Sequence, residues 1–279
     1  MTLATRIRSG ARFAVRRPTL VIAVLVVAAV VVAAFGPWVF STADPLTGVP
    51  AQKLQPPSPA HLFGTDELGR DLWTRVVHGA ALSLKATLIA VCVAFVFGGA
   101  IGMLAGFLGG WVDDVVMRVV DVLLSIPGLL LSLALVTALG YGTVEVAVAV
   151  GITSIAGFAR VTRSEVLRVR TAVYVEASAA TGARWYQVLL WHVLPNAAGP
   201  GIVLATLEFG SAILAVSSLS FLGYGAQPPE PEWGALIASG RNYLATAWWL
   251  TTLPGLVIVA LVLSTNRISR AIDRRGELA

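Results

Sequence analysis

Six apolar stretches constrain this chain more than any other feature: Leu20–Val39, Ala86–Phe107, Val115–Leu139, Thr143–Ala159, Gly199–Phe221 and Ala247–Leu263. A helix that crosses a bilayer core needs about 20 predominantly apolar residues, and no fewer than about 17. Five stretches meet that length comfortably; Thr143–Ala159, which carries Glu145, meets it at the lower limit. The runs are too long and too continuously apolar for barrel strands, which leaves helices as the spanning element. Composition agrees. Hydrophobic residues make up 57% and charged residues 13%, against about 45–50% and about 25% in a typical soluble domain. Mean hydropathy is +0.81. The predicted fold class is an all-α polytopic membrane protein with six transmembrane helices.

The cations predict the orientation. Arg6, Arg8, Arg12, Arg16 and Arg17 precede the first span and are expected to stay cytoplasmic. With six spans, Arg118, Arg160, Arg163, Arg168, Arg170, Arg184, Arg267, Arg270, Arg274 and Arg275 fall on the same side. Lys53, Arg70, Arg75, Lys85 and Arg241 fall on the other. Omitting the fourth span would move its five following arginines outside and destroy the asymmetry. Both termini are therefore predicted to be cytoplasmic. The N-terminal stretch could also be read as a cleaved signal peptide, having an Arg-rich start and small residues near Ser41 and Ala43. Its apolar core exceeds the roughly 7–15 residues of such a peptide, and its removal would leave an odd number of spans.

The boundaries that follow are a cytoplasmic segment at 1–19, a first transmembrane helix at 20–40 and an extracellular loop at 41–81. A five-helix core occupies 82–269, with a large cytoplasmic loop at 160–198, and a cytoplasmic tail occupies 270–279. The extracellular loop opens with Pro45, Pro50, Pro56, Pro57 and Pro59, which predicts an extended segment without helix. It closes on DELGRDLWTRVVHGA, where Leu68, Leu72, Val76 and Ala80 recur at helical spacing opposite Arg70, Asp71 and Arg75. That pattern predicts an amphipathic helix lying on the outer interface, with Asp66 as its N-cap.

Much chemistry is excluded. A phosphate-binding P-loop needs a lysine directly after a glycine, and the two lysines follow Gln52 and Leu84. No GxSxG, HExxH or CxxC occurs, and His61, His78 and His192 are scattered. Cys92 is the single cysteine, so there is neither an intramolecular disulfide nor a thiolate metal framework. The cations form short juxtamembrane clusters rather than a basic stripe with aromatics, which argues against a nucleic-acid partner.

The chemistry that is present lies in the cytoplasmic loop, in YVEASAATGARWYQVLLWHVLPNA. Glu176 to Thr181 favour helix, Gly182 breaks it, and a second apolar segment follows until Pro195 is expected to stop it. Two interpretations of this short helix, turn and short helix stand side by side. It could dock in a groove on a cytoplasmic partner with Trp185 and Tyr186 as anchors, or be an ordinary loop helix with Gly182 as its C-cap. Asp121 and Glu208 are ionisable groups inside candidate spans and should face protein or water. Asp121 lies three residues after Arg118, which suggests a local ion pair. Glu208 has no cation within a turn, which suggests an inter-subunit bond or a place on a path wall.

Glu176-Ala177, Gly182 six residues after the glutamate, and Leu194-Pro195 at twelve and thirteen after the glycine resemble the EAA loop of ABC importer permeases. HLFGTDELGRDLWTRVVHGAALSL (His61–Leu84), GGWVDDVVMRVVDVLLSIP (Gly109–Pro127) and LSFLGYGAQPPEPEWG (Leu219–Gly234) are similar to the dipeptide/oligopeptide permease family, in the subunit usually labelled C. The resemblance runs from about Pro59 to Leu263. It implies a type I ABC importer permease-like core in a bacterial cytoplasmic membrane, importing di- or oligopeptides, with nickel or another small solute as the alternative cargo. It also implies a second homologous permease, two cytoplasmic ATPase domains or subunits holding ATP and Mg, an extracellular substrate-binding protein, and no cofactor or catalysis in this chain. The ATPase-coupling positions carried over are Glu176, Ala177, Ser178, Gly182, Arg184, Trp185, Tyr186, Leu194 and Pro195. Departures from the family pattern are His192 in place of Ile, Val216 in place of a frequent Glu, and RISRAIDRRG after Asn266 in place of an acidic pattern. A self-contained secondary transporter or channel shares the polytopic topology, but such proteins often show paired repeats or broken helices with midplane charges, and neither is evident in this sequence.

Overall fold

The computed structural model describes residues 18–276, and side chains up to Ile272 with the exception of Ala179. The N-terminal arginines Arg6 to Arg17 lie outside the described residues, as do the side chains of Arg274 and Arg275. Helices account for all regular structure among the described residues, and five of them are long and apolar enough to cross a membrane. A sixth crossing exists if a sharply bent helix pair is counted as one span. The chain divides into two compact units, residues 1–84 with 227–279 and residues 85–226.

In the first unit α1 (Pro18–Phe35) packs along the C-terminal helix, where Arg267 Nε donates to Thr19 Oγ1 at 3.1 Å. The segment between α1 and the next helix is knitted by backbone bonds, among them Val49 N to Gly69 O at 3.1 Å and Thr65 N to Gln55 O at 3.0 Å. The predicted interfacial helix is not a separate element. Helix α2 begins at Leu72, runs to Val93, and continues through a π segment (Ala94–Gly98) into α3 (Gly99–Leu108) as one span of 37 residues. Its stripe of Leu72, Val76 and Ala80 is buried in protein rather than in the interface. Asp71, not Asp66, is the N-cap, accepting from Thr74 N at 2.8 Å. Asp66 instead closes the preceding turn, accepting from Leu68 N and Arg70 N and pairing with Arg70 Nε at 2.7 Å.

Two helices complete this unit, α10 (Trp233–Gly240) and α11 (Trp249–Gly276). Fully buried Glu232 caps α10, accepting from Gly234 N and Ala235 N at 3.1 and 3.0 Å. Trp233 donates from its indole to Val76 O at 2.8 Å, and Arg75 reaches Pro229 O. The motifs at His61–Leu84 and near Glu232 thus meet in one buried network.

The second unit is organised around α6 (Thr143–Arg170). This helix is 28 residues long, so Arg160, Arg163, Arg168 and Arg170 ride on it, and the large loop starts at Thr171 rather than at 160. The π segment and helix α3 lie against it through Gly98, Gly102 and Gly106, one turn apart. A Cβ at Gly98 would stand 2.6 Å from Ile155 O, one at Gly106 3.0 Å from Arg163 O, and one at Gly102 would collide with Ala159 O. Small residues at this spacing let two helix backbones approach directly, the packing that replaces the hydrophobic effect inside a membrane.

The chain reverses at Gly109 and Gly110, both in the left-handed region (φ +66° and +57°), where L-residues with a side chain are strained. It then forms α4 (Gly110–Ser125) and α5 (Gly128–Leu139), bent by 95° against each other. The stretch Val115–Leu139 is therefore not one continuous span. Pro127 forces the residue before it out of the helical region, and Ile126 is extended (φ −88°, ψ 129°). The unit closes with α7 (Val173–Ala180), α8 (Trp185–Gln187), a π segment (Val188–Val193) and α9 (Leu194–Phe221). Core residues Val136, Val146, Val150, Ala212 and Leu219 join α5, α6 and α9.

Candidate functional site

The segment from Thr171 to Val193 folds as a compact helical pair on the ends of α3 and α6. Val175, Val188, Leu189 and Val193 are buried with Val166 and Val169 of α6, and Phe107 packs beside them. Between α7 and α8 the backbone turns through Gly182 at φ +90°. Ala183 N returns to Ser178 O at 3.3 Å, the closing bond of a Schellman cap. Thr181 Oγ1 donates to the same carbonyl at 2.9 Å.

The opposite face of the pair is bare. Val173 is 81% exposed, Trp185 58% and Trp191 75%. Glu176 and Ala177 are exposed, Ser178 is half-buried, and Arg184 and Tyr186 are exposed, joined by a bond from Arg184 Nη1 to Tyr186 OH of 3.0 Å. Glu176 and Trp185 line one open cleft with Phe107, Arg170 and Val188. Leu194 is half-buried and Pro195 exposed.

Pro195 does not end the helix. Helical structure runs from Trp185 to Phe221, because the π segment before Pro195 already departs from the regular bonding that proline would break. Asn196 Nδ2 donates to His192 O at 2.7 Å in the same turn.

Asp121 pairs with Arg160 of α6, not with its neighbour Arg118. Glu208 is satisfied within the chain, accepting from Ser154 Oγ at 2.6 Å. Neither meets the cleft residues. Asp113 of α4, which no local sequence signal singled out, receives a bidentate fork from Arg163 Nε and Nη2, both at 2.5 Å. Arg170, likewise marked in sequence only by its charge, donates from Nη1 to Gly106 O and Phe107 O and so caps the C-terminus of α3. The arginines read as a juxtamembrane cluster are thus largely engaged in holding α3 and α4 onto α6. The one signal for the close α3–α6 packing was the glycine spacing.

A glycine-packed helix pair, a broken span and an aromatic-faced helical pair between two spans define this architecture. Residues 98–277 match the family described as the binding-protein-dependent transport system inner membrane component. The chain belongs to that family. The permease is 43% identical over 240 residues to the di/tripeptide transport system permease protein DppC of Pseudomonas aeruginosa, covering 84% of this chain and 79% of that protein. It is 39% identical over 245 residues to the dipeptide transport system permease protein DppC of Alkalihalophilus pseudofirmus, covering 88% and 80%. The fold is shared with the MetNI methionine ABC transporter in its inward facing conformations, at TM-score 0.58 and 21% identity, covering 71% of this chain and 96% of that one. This permease is accordingly a multi-pass component of a binding-protein-dependent transport system.

Proposed function

We propose that this permease forms half of the translocation pore of an ATP-driven importer of di- and oligopeptides in the bacterial cytoplasmic membrane, with both termini cytoplasmic. Its partners are a second homologous permease, two cytoplasmic ATPase domains or subunits that carry ATP and Mg, and an extracellular protein that delivers substrate. The chain itself supplies pore wall and lever and makes or breaks no bond. Peptide cargo is supported by the two dipeptide permeases to which it is about 40% identical.

The observation that carries the coupling role is the bare aromatic face of the Thr171–Val193 pair. Exposed tryptophans on a rigid helical pair suit burial in a partner's groove. The inner face of the same pair is packed on α6 and the end of α3, so a movement of the docked partner is transmitted to two spans. Glu176, Ala177, Ser178, Gly182, Arg184, Trp185 and Tyr186 form this element, and Leu194-Pro195 lead from it into α9.

Reconstitution of the purified complex in liposomes tests the assignment. Uptake of a labelled dipeptide should require ATP, the second permease and the ATPases together, and the chain alone should bind no nucleotide. Uptake by this chain alone without ATPase would overturn the proposal in favour of a secondary transporter.

A further inference from the structure

Helix α5 has twelve residues, about 18 Å at 1.5 Å per residue. It is therefore too short to cross a hydrocarbon core of about 30 Å by itself. The chain there turns by 95° through Ile126 and Pro127. Helix ends leave backbone N–H and C=O groups without intrahelical partners on both sides of such a break. Non-helical backbone at membrane depth persists where protein buries it or where it lines water, and not where it faces lipid. Within this unit nothing covers the break: Ser125, Ile126, Pro127 and Gly128 are all exposed.

A second observation separates water from protein as the cover. On α6, Thr153, Gly157, Arg160 and Ser164 repeat at three and four residues, so they share one face. Thr153 Oγ1 lies 3.2 Å from Ser132 Oγ of α5, and Arg160 pairs with Asp121 of α4. The stripe therefore runs beside the break. The Arg160 and Asp121 side chains remain 52% and 62% exposed, and Ser164 is exposed. Charged side chains this open beside an uncovered backbone break face water rather than acyl chains or an apolar partner.

We infer that the Ser125–Gly128 break and the Thr153–Ser164 stripe of α6 form a water-filled wall of the translocation path, with the Asp121–Arg160 pair as its charged rim. The inference rests on the permease function proposed above. It places the contact with passing peptide on exposed backbone, hydroxyls and one ion pair. Such a surface offers hydrogen bonds to any peptide main chain and selects weakly among side chains.

Single cysteines at Ser125 and Gly157, in a Cys92→Ala background and in the assembled complex, test it. Gly157 has open space where a Cβ would stand, so Gly157→Cys should fold. A permanently charged thiol reagent should label both positions, and trapping the ATPases with nucleotide and vanadate should change the rate. Leu25→Cys, on the apolar face of α1, should react roughly a hundredfold more slowly, the penalty for bringing a charge into hydrocarbon. Labelling of both positions as slow as at Leu25, in a complex that still imports peptide on ATP, would overturn the inference alone. Fast labelling with uptake that needs no ATP would keep the wall and overturn the importer.

Discussion

Gly102→Val should leave almost no folded subunit in the membrane. The glycine lies where α3 touches the backbone of α6, and any Cβ would collide with Ala159 O. That carbonyl belongs to a fully buried helix residue and cannot swing aside as a long side chain would. Overpacking of a tight interface costs about 1–3 kcal/mol and sometimes more. Here the two neighbouring contacts, at Gly98 and Gly106, would be pried open with it. Gly99→Val is the matched control, because its Cβ would meet nothing within 4 Å and valine is tolerated in spanning helices. Membrane abundance and complex yield, read by quantitative blot after mild solubilisation, should collapse for Gly102→Val and stay near wild type for Gly99→Val. Equal yields would mean that α3 and α6 do not pack as described.

The second large effect concerns the Asp113–Arg163 fork, and its sign is asymmetric. The Asp113 side chain is 11% exposed and that of Arg163 33%. Removing the arginine strands a nearly buried carboxylate, whereas removing the aspartate leaves a guanidinium that can still reach water. Hydrogen bonds to charged groups are worth about 1.5–3 kcal/mol, and an uncompensated buried charge adds to the loss. Arg163→Ala should therefore lower the thermal midpoint of the detergent-solubilised complex more than Asp113→Ala does. The double substitution should recover part of the difference. Equal shifts for the two single variants would show the pair to be solvated and of little weight.

These two sites illustrate what the sequence could and could not reveal. Hydropathy located the membrane helices because a run of apolar side chains is a local property. It could not locate the 95° bend, since leucines and valines continue on both sides of Pro127 and a window average does not register a restricted φ/ψ pair. The same blindness made the segment after Asp66 look like an interfacial helix. Its polar and apolar stripes are real, but the apolar one meets Trp233, about 160 residues further along the chain. The arginines of α6 could be counted from sequence but not paired, because Asp113 and Asp121 reach them only once the Gly109-Gly110 reversal has folded α4 back. The turn at Gly182 was legible because a glycine between two helix-forming segments is itself the local signal.

Coupling through that turn is the central claim, and substrate-stimulated ATPase activity of the reconstituted complex tests it most directly. Valine at Gly182 must enter the left-handed region, at a cost of roughly 1–3 kcal/mol. If that strain opens the turn, the docking face loses its shape, while the buried Val175–Val193 side remains attached to α6 and α3. Glu176→Lys changes the charge of the exposed cleft without touching the core. Stimulation by loaded binding protein, normalised to assembled complex, should fall at least about tenfold in Gly182→Val, which corresponds to about 1.4 kcal/mol of lost coupling. It should also fall in Glu176→Lys, with membrane abundance preserved in both. Wild-type stimulation in both variants would contradict the account and reduce the Thr171–Val193 pair to a connector.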